Sequence, residues 1–232
     1  MDLGIAGRNA IVCASSRGLG KACATSLARN GVNVTINGRD SVVLEKTAAD
    51  IRAVAPDVEV TMVVGDVADR QCQAALLSAT PEVDILVNNA AFARAEDRVP
   101  VVDMDDEIFK KVIDIKVIGG YLFAKAVAKI LIAQDHGGQI INLSSTAGRQ
   151  GSARTSAYNT ANFALHGFTQ ALAHELAPNQ ITVNAVCPGP VTTARMDVLG
   201  DKGWEATLSR IPMGRAATDE DIAGVVLSLI HI

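Results

Sequence analysis

The stretch AIVCASSRGLGKACATSLARNG, residues 10–31, decides the fold. It opens with an apolar run, passes through a turn of small residues at 15–20, and continues with the spacing of an amphipathic helix. A strand that enters a helix through such a turn offers backbone N–H groups, reinforced by the helix dipole, to a pyrophosphate. Ser15, Ser16, Arg17, Gly18, Leu19 and Gly20 are therefore candidate cradle positions, with Gly18 and Gly20 allowing ligand and strand to approach closely. The first glycine of a dinucleotide fingerprint is replaced here by Ala14 or Ser15. Taken alone, the segment reads equally as an ordinary strand-turn-helix junction.

Further apolar runs follow at VNVTI (32–36), VEVTMVV (58–64), DILVN (84–88), QIINLS (139–144) and ITVNAV (181–186), with helical stretches between them, including a long one over 105–134. Short, nearly continuous apolar strands alternating with helices predict repeated βαβ units, hence an α/β fold: a Rossmann-like doubly wound parallel sheet covered on both faces. No linker, repeat or composition shift divides the chain, so a single domain over 1–232 is expected. The last segment, TDEDIAGVVLSLIHI, reads as a capped helix with no strand after it: either the native chain ends there or it continues past Ile232 and adds a closing strand.

Composition narrows the function. With 49% hydrophobic and 20% charged residues the chain is an ordinary globular one, and its net charge of −4 argues against a nucleic-acid partner. Cys13, Cys23, Cys72 and Cys187 form no CxxC pair, and the four histidines, His136, His166, His174 and His231, form no ligand constellation, so no metal site is expected. Cys187 reads as a small hydrophobe rather than a nucleophile. Without a leader-like start or a long apolar run, the expectation is a cytoplasmic protein with no membrane partner.

The strand tips carry the remaining signals. After the second run comes NGRD, where an enzyme selecting a free ribose diol would place an acid. Asn37, Gly38 and Arg39 stand there instead, and Arg39 with Arg17 suits a 2′-phosphate, so NADP(H) is the expected cofactor. The third run ends in GDV, where Asp66 can accept from an adenine amino group, and the fourth in NNAA, whose asparagines can fix strand ends and the cofactor's edge. Both also read as turn chemistry.

Together SSRGLG, GDV, NNAA, NLSS (142–145), Tyr158 thirteen residues after Ser145, and PGPVTT (188–193) resemble the short-chain dehydrogenase/reductase family over nearly the whole chain. The resemblance implies that Tyr158 is the acid or base at a carbonyl or alcohol oxygen and that Ser145 orients that oxygen. It also implies that Val67, Asn88, Ala90, Pro188, Gly189, Val191 and Thr193 join the cradle residues, Arg39 and Asp66 around the cofactor. The substrate is then a small-molecule carbonyl or alcohol, such as a 3-oxoacyl thioester, a sugar, a steroid or another ketone. Arg149 or Arg154 can meet an anionic group on it, although each also reads as an exposed surface arginine. A homotetramer or homodimer is implied too, built on helices over 105–134 and 157–177, the latter carrying Phe163, Leu165, Phe168 and Leu172.

Two departures from the family pattern are linked. A phenol titrates near pH 10 and donates poorly at neutral pH without a nearby cation. The family's YxxxK supplies that cation, but this chain has YNTAN, with Asn162 in the lysine's place. Upstream, in VIDIKVIGGYLF, Lys116 stands where the family has an asparagine. The exchange predicts that Lys116 carries the charge and Asn162 supplies neutral hydrogen bonds. The competing reading is a catalytically silent NADP-binding protein acting through partners. Ala91 also replaces a family glycine, and either Ala14 or Ala91 would be penalised if its backbone needed a positive φ.

Overall fold

A computed structural model describes residues 2–92, 95–192 and 200–231. Six strands, β1 (Asn9–Val12), β2 (Asn33–Gly38), β3 (Val60–Val64), β4 (Ile85–Asn88), β5 (Gly138–Leu143) and β6 (Ile181–Val186), form one sheet in the order β3-β2-β1-β4-β5-β6. Every neighbouring pair is parallel, with Val12 beside Ile36 and Val87, and Asn88 beside Asn142. The chain winds outward one way from β1 to β3 and then the other way from β4. The ends of β1 and β4 thus form the topological switch point, where ligands of open α/β sheets sit.

Period-two alternation divides the core between the two faces. Ala10 and Val12 of β1 pack with Ala24 and Leu27 of α1 (Gly18–Arg29), Leu44 and Ile51 of α2 (Ser41–Val54) and Val226 of the last helix (Asp219–Ile230). Ile11 and Cys13 face the other way, with Leu76 of α3 (Arg70–Ala79) and Phe123, Val127 and Leu131 of α5 (Gly119–Gln134). All four residues of β4 and all six of β5 are buried, as covered parallel strands must be. The last helix starts with a capping box, Thr218 accepting from the Asp221 N–H and Asp221 accepting from the Thr218 N–H.

The expected long helix over 105–134 is interrupted. Regular α4 (Asp106–Ile113) passes into a π-turn (Asp114–Ile118) before α5 begins, and Lys116 lies inside that turn. Periodicity does not reveal one extra residue in a helix, because both flanking segments keep their own apolar faces. Of the four apolar residues noted for α6 (Ser156–Leu176), Leu165 is buried and Phe168 and Leu172 pack against the core, leaving Phe163 exposed.

Candidate active site

The residues expected to hold a dinucleotide lie at the switch point. Helix α1 begins at Gly18 with no side-chain cap on its N–H groups and no acidic residue in its first turn. Those donors remain available to an anion. Gly18 takes φ 53, and a Cβ on Gly20 would lie 2.6 Å from the Ala14 carbonyl oxygen and 2.7 Å from Asn89 Nδ2, so both positions need glycine. Ala14 itself has φ 49. The replaced fingerprint glycine thus does occupy left-handed backbone, whereas Ala91 carries no positive φ.

The turn is pinned from beneath. Ser15, fully buried, donates its hydroxyl to the Val12 carbonyl (2.6 Å) and accepts from the Asn37 N–H (2.9 Å), while its own N–H donates to the Asn37 carbonyl (2.7 Å), so both its side chain and its N–H hold the turn instead of facing a ligand. Asn37 accepts from the Ala14 N–H and donates to the carbonyls of Val63 and Gly65, joining the tips of β1, β2 and β3. Asn89 donates to the carbonyls of Cys13 and Ala14, and Asn88 donates to Asn142 Oδ1. Of the two parts expected of the NNAA asparagines, fixing strand ends and the cofactor's edge, these bonds perform the first. Leu19 is partly exposed beside the turn, and the Ser16 carbonyl accepts from Thr47.

Arg17 and Arg39 are exposed, and the Arg39 guanidinium is 3.8 Å from an Asp66 carboxylate oxygen. Asp66 also accepts from the Ala68 N–H at 3.0 Å. Val67 and Asn88 line a narrow cleft with Ala90, Cys13, Lys116 and Leu165. Pro188 is buried and its carbonyl accepts from the Thr146 N–H, Gly189 is exposed, and Val191 bridges to Ala217. Thr193 lies outside the described residues.

The residues expected to react sit where β5 and α6 meet. Ser145 follows β5 and caps the short 3-10 segment Thr146–Gly148, its hydroxyl oxygen accepting from the Ala147 N–H. Tyr158, in the first turn of α6, is partly exposed. Asn159 ties the two elements together by donating to the carbonyls of Ala147 (2.7 Å) and Gln150 (3.0 Å). Asn162 is completely buried; its amide donates to the Tyr158 carbonyl at 2.8 Å and its oxygen accepts from Ser144 at 3.3 Å.

Lys116 is 7% exposed, and its Nζ donates to the carbonyl of Leu143, the last residue of β5, at 2.6 Å. The cation therefore reaches the strand end that carries Ser145. His166, which composition alone left without a role, contacts Ser144 Oγ at 2.8 Å and Cys187 Sγ at 3.2 Å. Burial, then the charges of Arg149 and Lys116, push the His166 pKa down, while burial pushes the Cys187 thiol up against the same two charges. Ser144 and His166 were missed because a hydrogen bond between residues 22 apart has no local signature. Among the described residues, no group of His, Cys, Asp and Glu is arranged for a metal, and no helix is long and apolar enough to cross a membrane.

Comparison with known proteins agrees with this geometry. A family model described as enoyl-(acyl carrier protein) reductase matches residues 13–231. The chain is 35% identical to a 3-oxoacyl-[acyl-carrier-protein] reductase of Synechocystis over 94% of its length and 86% of the relative's. It is 33% identical to an L-xylulose reductase of Mesocricetus auratus, covering 99% of this chain and 91% of the relative. A structure from Beutenbergia cavernae, described as a candidate NAD(P)-dependent gluconate 5-dehydrogenase with NADP bound at low occupancy, superposes with a TM-score of 0.91 at 31% identity, over 99% and 92% of the two chains.

Proposed function

Since the chain belongs to the short-chain dehydrogenase/reductase family, we propose that it is an NADP(H)-dependent oxidoreductase acting on a carbonyl or secondary alcohol. The bound nicotinamide would supply or accept the hydride. The uncapped start of α1, the backbone of residues 16–20 and the absence of an acid at the tip of β2 fit a dinucleotide diphosphate, with Arg17 and Arg39 beside a 2′-phosphate.

In the reducing direction Tyr158 gives its phenolic proton to the carbonyl oxygen as the hydride arrives at carbon, and Ser145 donates a hydrogen bond to the same oxygen. The proton leaves the tyrosine only if a cation stabilises the phenolate. Lys116 takes that part, and the observation that carries the reading is its buried ammonium, 2.6 Å from the carbonyl of Leu143, which stands two residues before Ser145 in the chain. Desolvation strengthens a charge's influence on its neighbours, so a cation held there acts more strongly than one in solvent.

The test is oxidation of NADPH with a panel of 3-oxoacyl thioesters, ketoses and other ketones, together with the reverse reaction on the matching alcohols. Turnover that disappears in Tyr158→Phe supports the proposal. Tight NADPH binding with no turnover on any of them would favour the catalytically silent reading. A homo-oligomer belongs to the same proposal: Tyr121, Ile132 and Phe163 leave apolar surface exposed on α5 and α6, and light scattering showing only monomer at micromolar concentration would reject it.

A further inference from the structure

Behind Ser145 and Tyr158 lies a polar group enclosed by the core. Ser144 is 8% exposed and Asn162 wholly buried, and Ser144 hydrogen-bonds to both Asn162 and His166. The 3-10 segment closes over them, since a Cβ on Gly148 would come within 2.8 Å of the Asn162 carbonyl oxygen and 2.9 Å of His166 Nε2. In such a site each donor needs an acceptor, and the pairing can be traced atom by atom.

Asn162 Nδ2 donates to the Tyr158 carbonyl, which fixes the amide so that Oδ1 is its acceptor end. Among the described residues, the donor within reach of Oδ1 is the Ser144 hydroxyl. Once that hydroxyl has given its proton to Oδ1, Ser144 Oγ can only accept from His166 at 2.8 Å. The imidazole must then carry its proton on Nε2. In the opposite tautomer, Nε2 would take the Ser144 proton and Asn162 Oδ1 would be left without it, a buried acceptor stripped of water with nothing in return. Cys187 does not reverse the choice, because a thiol is a weak donor whose sulfur can share the Nε2–H.

We propose that His166, in its Nε2–H tautomer, is a positioning residue that joins the Ser145 strand end to the Tyr158 helix turn through Ser144 and Asn162. The inference rests on reading Ser145 and Tyr158 as the reacting pair. Ser144 adjoins Ser145, and Asn162 lies one helical turn beyond Tyr158, so one directed chain of hydrogen bonds sets the spacing of the two hydroxyls that meet the substrate oxygen. The depressed basicity of His166, imposed by burial and then by Arg149 and Lys116, keeps the ring neutral at working pH, as a single tautomer requires.

Two measurements test the proposal. Long-range proton–nitrogen NMR of the unliganded wild type reads the His166 tautomer directly, and an Nδ1–H form would overturn it. Kinetics of His166→Leu, His166→Gln and Ser144→Ala supply the second. His166→Leu is expected to lower kcat about 10- to 100-fold, as small misplacements of reacting groups do, while the NADPH Kd stays within about twofold. His166→Gln, whose terminal N–H reaches the place of the imidazole Nε2–H, should recover most of the loss. Combining Ser144→Ala with His166→Leu should add little to either alone, because both cut one chain. Unchanged kcat in a folded His166→Leu would eliminate the positioning role and leave the oxidoreductase reading intact. Failure of the wild type to turn over any substrate would remove both, with the tautomer still deciding the network. If His166→Leu does not fold, the wild-type spectrum decides alone.

Discussion

The side-chain amide of Asn162 donates to the backbone carbonyl of Tyr158, 2.8 Å away and one turn back along the same helix. The residue at the usual lysine position is therefore turned into the protein, and its polar atoms are engaged there. Whatever cation assists Tyr158 must come from another element. The buried ammonium of Lys116, anchored on Leu143, meets that requirement.

Lys116→Met should accordingly lower kcat about 100-fold or more, on the scale of lost acid–base assistance, and move the kinetic pKa of the acid–base step upward. Asn162→Ala should act chiefly through positioning and lose about tenfold, comparable to a buried hydrogen bond. The exchange Lys116→Asn with Asn162→Lys should retain more activity than Lys116→Asn alone, a non-additivity expected if both positions serve one proton. Full turnover by folded Lys116→Met would remove the lysine from the mechanism.

The proposed preference for NADPH turns on Arg39. Its contact with Asp66 is long, at 3.8 Å, and the arginine side chain is 70% exposed, so the ion pair holds it weakly and leaves it able to swing to a phosphate. Arg39→Ala should weaken NADPH binding about tenfold or more and change NADH binding little, as expected for one charge-assisted hydrogen bond. Equal losses for both cofactors, measured by titration calorimetry, would take Arg39 away from the 2′-phosphate.

Ala14 holds a left-handed backbone at φ 49, in a turn that Asn37 and Asn89 pin from two sides. An L-residue with a Cβ is strained there, and glycine is not. Ala14→Gly should raise stability by about 1 kcal/mol, partly offset by the greater freedom of glycine in the unfolded chain. Urea denaturation at matched m-value measures it, and a lower midpoint would show that the turn has relaxed around the methyl group.

His166 makes stability depend on pH. Its folded pKa lies below the unfolded value of about 6.5, because burial, Arg149 and Lys116 all oppose the charged ring. The unfolded chain therefore binds the proton more readily. The histidine's contribution is complete above about pH 6.5 and is lost as pH falls through the folded pKa. Thermal melts from about pH 7.5 down to about 5.5 should show a steeper fall in Tm for the wild type than for His166→Gln. Parallel curves would mean that another group carries the dependence.

The parallel sheet was legible because its central strands are buried on both faces and so appear as unbroken apolar runs, such as ILVN in β4. The anion-binding turn was legible for a related reason: Gly18 and Gly20 are required by backbone conformation and close approach, which are local demands. The hydrogen-bonded group of Ser144, Asn162 and His166 was not, since it depends on where β5 ends against α6. The serine and asparagine also resemble, residue by residue, ordinary strand-end and helix residues. Ala14 falls between the two cases. Its substitution was visible, but only the observed φ shows that the methyl group carries a penalty.

The π-turn at Asp114–Ile118 also governs which insertions and deletions this gene could tolerate. Each residue removed from a helix rotates the segment before it by about 100° relative to the segment after it. Shortening the turn by one would restore regular helix, yet α4 and α5 could no longer both keep their present faces inward. Either Val112 would leave the cluster it shares with Phe92 and Ala157, or Lys116 would swing off the Leu143 carbonyl. A change that makes the backbone more regular would break one of these two contacts, so the Val112 packing and the Lys116–Leu143 hydrogen bond coexist only through the irregular turn.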